Sequence, residues 1–205
     1  MTSFASKLDE GFEIPGEEIS IAGGLLKAKL SRVEYEDDIF VGYRYYDTFD
    51  VSPAYEFGYG LSYTRFDYSD ITIAANDGFS ITVTVTNAGA VAGREVIQLY
   101  VTAPEVNLVK SAKELKGFSK TSELPPEAWE TVTSELLSND LAFFHDDRAA
   151  RLAEGGEYLV SVVASSRDIR SAASFILEKG VFVTDNLVDL SPDTNSERLP
   201  SSMRP

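Results

Sequence analysis

The chain has no cysteine and a single histidine, His145, in 205 residues. The first absence excludes disulfides, thiolate nucleophiles and cysteine-ligated zinc. The second excludes any site built on two imidazoles. Basic residues are also scarce. Eighteen Lys and Arg face 33 Asp and Glu, a net charge of −15. Such a surface repels phosphate backbones and anionic membranes, so neither nucleic acid nor a membrane is expected as a partner. No run approaches the roughly 20 apolar residues of a transmembrane helix. The first 30 residues lack a basic stretch followed by an apolar core, because Ser20, Gly23, Gly24, Lys27 and Lys29 interrupt Ile19 to Leu30. As written, the chain is expected in the cytoplasm. It is too short for a (β/α)₈ barrel, which needs roughly 250 residues. Its 43% hydrophobic and 25% charged residues are nevertheless those of a globular chain with a core.

What is present is strand pattern. Phe79-Ser80-Ile81-Thr82-Val83-Thr84-Val85-Thr86 alternates at period two, placing Phe79, Ile81, Val83 and Val85 on a core face. Residues 87–93 carry Asn87, Gly89 and Gly93 and read as a turn. Further strands are expected at 95–102, 131–136, 157–164 and 172–177, with another near 63–73. Pro104, Pro125-Pro126 and Gly155-Gly156 punctuate them. Six or seven short strands with recurring turns predict an all-β antiparallel sandwich. Residues 179–205 are polar and proline-punctuated and are expected to form a flexible C-terminal tail.

Twelve of the 23 aromatics fall within residues 35–68. That density fits a packed connector, or a sugar-stacking or partner-docking surface. Chemistry is harder to find. Gly58-Tyr59-Gly60 is too short for a dinucleotide loop, no Gly-x-Ser-x-Gly elbow accompanies His145, and His145 reads as a partly exposed turn residue. Glu36-Asp37-Asp38 and Asp146-Asp147 lack the spacing of a calcium loop. No catalytic residue, metal ligand or cofactor-binding residue is expected. Arg167-Asp168-Ile169-Arg170 reads as a charged turn, held by a local ion pair or reaching a neighbouring domain.

Three segments resemble the C-terminal part of the family-3 glycoside hydrolases, the β-glucosidase-like enzymes. The first is Ile39-Phe40-Val41-Gly42-Tyr43-Arg44-Tyr45-Tyr46-Asp47 with Pro53-Ala54-Tyr55-Glu56-Phe57-Gly58-Tyr59-Gly60-Leu61-Ser62-Tyr63-Thr64. The second is Val83 to Asn87 with Gly93 to Val101 and Lys113-Glu114-Leu115-Lys116-Gly117-Phe118. The third is Gly156-Glu157-Tyr158 with Ala164 to Arg170. The resemblance implies a remnant of an α/β sandwich domain and aromatic connector over 1–59, then a fibronectin type III-like (immunoglobulin-like) sandwich over 60–178. It also implies that the catalytic residues lie outside this chain. Trp129 follows Ala128 rather than the Ser-Asp of the family's nucleophile motif, and His145 follows Phe144 rather than lysine. One local departure is Leu124-Pro125-Pro126-Glu127 in place of a Pro-Gly-Glu turn.

The implied role is a non-catalytic structural or docking part of a hydrolase of O-glycosyl bonds. Its partners would be a catalytic barrel and an α/β sandwich, in cis or in trans, with self-association as a further expectation. The alternative is a free-standing carbohydrate- or protein-binding module. Tyr43, Arg44, Tyr46, Phe57, Tyr59, Arg167 and Asp168 are the candidate docking or packing residues.

Overall fold

The computed structural model describes residues 18–21, 26–29, 37–75, 78–145 and 150–184, with side chains described outside 18–21, 26–29 and 182–184. The chain forms two compact units, residues 1–36 and 37–205. In the first, β1 (Glu18–Ile21) pairs antiparallel with β2 (Leu26–Lys29). The second holds a short helix α1 (Tyr43–Thr48) and then β3 (Phe66–Tyr68), β4 (Thr72–Ala75), β5 (Phe79–Asn87), β6 (Val96–Thr102) and β7 (Glu114–Lys120). It continues with β8 (Trp129–Leu136), β9 (Phe143–His145), β10 (Ala150–Ala153), β11 (Gly156–Ser165), β12 (Asp168–Leu177) and β13 (Val181–Thr184). All pairings are antiparallel.

Two sheets face each other. One has the order β12-β11-β6-β7; in the other, β5 is flanked by β8 on one side and by β3 and β4 on the other. The alternation in β5 explains its place. Ile81, Val83 and Val85 are buried, while Thr82 and Thr84 pair hydroxyl to hydroxyl with Thr133 and Thr131 of β8 at 3.2 and 3.0 Å. The inward faces of β6 (Ile97, Leu99, Val101) and β11 (Tyr158, Val160, Val162) close over them. Each fully buried aliphatic side chain contributes about 1.5–3 kcal/mol of transfer free energy. The result is the all-β sandwich that the alternation predicts. A third sheet, β13-β10-β9, adjoins it.

The expected turn after β5 is organised by Asn87, which is fully buried. Its amide donates to Val91 O (2.9 Å) and Leu124 O (2.7 Å), and its Oδ1 accepts from Gly89 N (3.0 Å) and Thr64 Oγ1 (3.1 Å). All four of its hydrogen-bonding positions are satisfied, which is what a buried carboxamide requires.

The structure corrects several local expectations. His145 ends strand β9 rather than lying in a turn. Val181–Thr184, within the region expected to be a flexible tail, pairs with β10. Residues 185–205 lie outside the described residues, as do Glu36, Asp146 and Asp147. Trp129 and Glu130 extend the strand expected at 131–136, and Asp168 opens the one expected at 172–177.

At the proline turn, Ala128 N donates to Pro125 O (3.1 Å) and Glu127 takes a φ of 65°. That left-handed conformation costs a residue with a Cβ about 1–2 kcal/mol, and glycine adopts it freely. Glu127→Gly is therefore expected to stabilise the fold by roughly 0.5–1 kcal/mol, part of the relief being offset by glycine's extra freedom when unfolded. A urea titration measures this; a lower midpoint in the variant contradicts it.

Candidate docking face

Strand β6 is buried on both faces. Ile97, Leu99 and Val101 enter the core, yet Gln98 and Tyr100, which point the other way, are 2% and 0% exposed. Residues 42–58 cover them. Tyr43 lies edge-on against Tyr100 at 5.3 Å and beside Phe57 at 5.8 Å, and its hydroxyl accepts from Leu115 N at 2.8 Å. Tyr100 Oη in turn donates to Gln98 Oε1 (3.1 Å), and Gln98 Nε2 donates to Ala164 O (3.2 Å). Burial, then the neighbouring Tyr43 and Asp47, push the Tyr100 phenol well above its ordinary range, so it remains a neutral donor.

Backbone bonds fix the register of this cover. Ser166 N donates to Phe57 O at 2.8 Å and Ala112 N to Thr48 Oγ1 at 2.9 Å. Gly58 is needed where the segment crosses Gln98. Its φ is +87°, and a Cβ there would lie 2.0 Å from Gln98 Nε2.

Asp47 is the electrostatic centre, with its side chain only 7% exposed. Arg167 Nε donates to its Oδ1 at 2.8 Å, while the same guanidinium donates through Nη2 to Tyr46 O (3.0 Å) and Val51 O (2.8 Å). Lys113 Nζ stands 3.3 Å from Asp47 Oδ2, near enough for charge attraction but not aligned as a hydrogen bond. The lysine instead donates to Ser166 O, and its ammonium lies 5.4 Å from the Tyr100 ring centre. Arg44 makes a similar unaligned pair, with Nε 3.7 Å from Glu114 Oε1.

The candidate residues thus fall into three groups. Tyr43, Tyr46 and Arg167 meet around Asp47, with Arg44 alongside and Phe57 against Tyr43. Tyr59 is exposed and packs on Tyr55 with ring centres 5.3 Å apart. Asp168 pairs with Arg170 at 2.6 Å. Asp47, Gln98, Tyr100 and Lys113 lie in the segments that carry the resemblance, but sequence reading gave none of them a docking or packing role. Their partners lie up to 120 residues away, a distance at which no local pattern signals a contact.

Beyond the cover, apolar side chains remain in solvent. Phe57, Leu61, Val96, Leu115 and Phe118 line a groove of about 310 Å³, in which Phe118 is 74% and Phe57 55% exposed. Among the described residues, no group of three acidic or histidine side chains is placed to hold a metal ion, and no helix is long and apolar enough to cross a membrane.

The strand order and the two facing sheets define a fibronectin type III-like domain, and residues 95–166 match the family model of that description. The chain carries this domain as it occurs in family-3 β-glucosidases. It is 44% identical over 149 residues to the β-glucosidase BoGH3A of Bacteroides ovatus, covering 70% of this chain and 20% of that protein. It is 43% identical over 143 residues to the thermostable β-glucosidase B of Acetivibrio thermocellus, covering 67% and 19%. The structure of β-glucosidase 3B from Thermotoga neapolitana in complex with α-D-glucose superposes with a TM-score of 0.70 at 45% identity, over 73% of this chain and 21% of that one. The chain spans about a fifth of the length of these relatives.

Proposed function

We propose that this chain acts as a non-catalytic structural and docking part of a family-3 glycoside hydrolase that cleaves O-glycosyl bonds. Its partners are the catalytic barrel and the α/β sandwich, in the same longer chain or in trans. The observation that carries this reading is the covered outer face of β6. The sandwich uses its buried charges and aromatics to hold residues 42–58, and that held segment then presents Phe57 to solvent, with Leu61 and Phe118 beside it. An apolar surface built on rigid backbone is the kind that a partner domain covers. The relatives, about five times the matched length, have the remaining chain to cover it.

The test is reconstitution. A form of the Thermotoga neapolitana enzyme lacking the region similar to this chain is mixed with the purified chain. A complex on gel filtration, weakened by Phe118→Ser and Phe57→Ser, is expected, with no hydrolysis of a β-glucoside by this chain alone. Hydrolysis by the chain alone, or absence of a complex at 100-micromolar concentrations (about −5.5 kcal/mol of affinity), overturns the proposal.

A further inference from the structure

A second concavity, of about 650 Å³, opens between residues 58–66 and the turn at 164–170. Its chemistry differs from that of the apolar groove. Glu95 lines it although the residue is only 6% exposed. One carboxylate oxygen, Oε1, accepts from Val96 N at 2.9 Å. The Tyr68 hydroxyl near it is buried without a hydrogen-bonding partner, and the Arg170 guanidinium lies 5.6 Å from the Tyr68 ring centre. Burial, then the charge of Glu95, push the Tyr68 phenol far above its ordinary range; burial foremost also raises the Glu95 carboxyl. Glu95 thus brings to the wall of an open cleft a buried carboxylate with acceptor positions beyond the one that Val96 N uses, where a hydroxyl donor can meet it.

The rest of the cleft is rigid and amphipathic. Arg170 Nη2 donates to Asp168 Oδ2 at 2.6 Å, Asp168 N donates to Ser165 Oγ at 3.3 Å, and Ser165 Oγ donates to Glu56 Oε1 at 3.0 Å. This chain fixes each planar group and leaves further acceptor positions on the carboxylates. At the rim, Tyr63 is fully exposed and Tyr59 60% exposed. Flat rings beside fixed planar acceptors and one guanidinium suit a ligand with apolar C–H faces and many hydroxyl donors. The carboxylates Glu56, Glu95 and Asp168, in a chain of net charge −15, disfavour an anion.

We propose that this cleft is a binding site for a neutral carbohydrate, with Glu95, Asp168 and Arg170 bonding its hydroxyls and Tyr63 or Tyr59 stacking on a ring face. The site shares Gly58 and Leu61 with the apolar groove but includes neither Phe57 nor Phe118, so a variant at Phe118 separates the two roles.

Titration of the isotope-labelled chain with cellotetraose and with laminaritetraose, followed by amide chemical shifts, tests it. Saturable shifts confined to residues 56–68, 94–96 and 164–170, with a Kd of about 1 mM, are expected. Tyr63→Ala removes a ring that touches no core and should weaken binding roughly tenfold. Glu95→Gln should weaken it severalfold with the spectrum of the fold retained. Phe118→Ser should leave it unchanged. Absence of saturable shifts at 20 mM sugar, equal at about −2.3 kcal/mol, overturns the proposal. So does binding that Tyr63→Ala leaves intact, or saturation by an organic cation such as spermidine in the absence of any response to sugar.

Discussion

Replacing Lys110 with alanine is expected to cost about 3–5 kcal/mol of folding stability. The ammonium and the Glu154 carboxylate are 1% and 3% exposed, and Lys110 Nζ donates to both Glu154 Oε2 and Pro104 O. Glu154 Oε1 also accepts from Asn107 N (2.9 Å) and Asn107 Nδ2 (3.1 Å). One carboxylate therefore fixes the loop between β6 and β7. Removing the lysine leaves a buried negative charge without its counterion, and that penalty exceeds what the pair contributes when intact. Urea unfolding of Lys110→Ala measures the loss. The double variant Lys110→Met with Glu154→Gln should recover part of it, because no charge then stays buried. A single-variant loss below about 1 kcal/mol would place the pair in the weak range of surface ion pairs and refute this account.

The same pair sets a pH dependence. Burial alone would raise the Glu154 carboxyl, but the hydrogen bond and charge of Lys110, with the bonds from Asn107, outweigh it and hold the group below its ordinary 4.5. A carboxyl depressed in the folded state stabilises fully above its unfolded value, and that contribution is lost as pH falls through the folded one. The melting temperature should thus decline below about pH 4.5. Glu154→Gln should start lower at pH 7 and decline less steeply.

Asp47→Ala is expected to release the cover on β6 without unfolding the sandwich. Arg167 is about one-third exposed, so the loss is smaller than for Lys110, about 1–3 kcal/mol. Because it falls on one segment, the readout is local. Amides of Tyr45, Tyr46, Phe49 and Val51, bonded within the segment, should exchange with solvent roughly 10–100-fold faster. Those of β5 should be unchanged. Arg167→Lys keeps the charge but loses the fork that reaches Asp47, Tyr46 and Val51 together, so its effect should be intermediate. Unaltered exchange in 42–51 would mean that the aromatic contacts of Tyr43 hold the segment without the ion pairs.

Strand β5 was legible because its faces differ. Threonine on one side and Ile81, Val83 and Val85 on the other allow one pleat orientation. Strand β7 was not expected, since Glu114-Leu115-Lys116-Gly117-Phe118-Ser119-Lys120 has two apolar residues and a glycine. It is a strand because β6 offers it an edge, with Gly117 opposite Leu99. Strands β9 and β10 are three and four residues long, too short for any period to register. The short turn from β11 to β12 is held through Arg167 by Asp47, so the charge in that turn serves a contact 120 residues away as well as the Asp168–Arg170 pair.

The amino-acid sequence by itself determined the sheet-forming alternation, the turn at Asn87, the acidic surface and the exclusion of thiol chemistry. Each follows from residue type and spacing within a few positions. Only the tertiary structure decided that Gln98 and Tyr100 are buried, that Lys110 faces Glu154 across 44 residues, and that Phe57 and Phe118 share a groove. A strand's inner face is set by its own alternation. Whether its outer face meets water is set by whatever distant segment folds across it, and the free energy of that cover lies in contacts that no local pattern encodes.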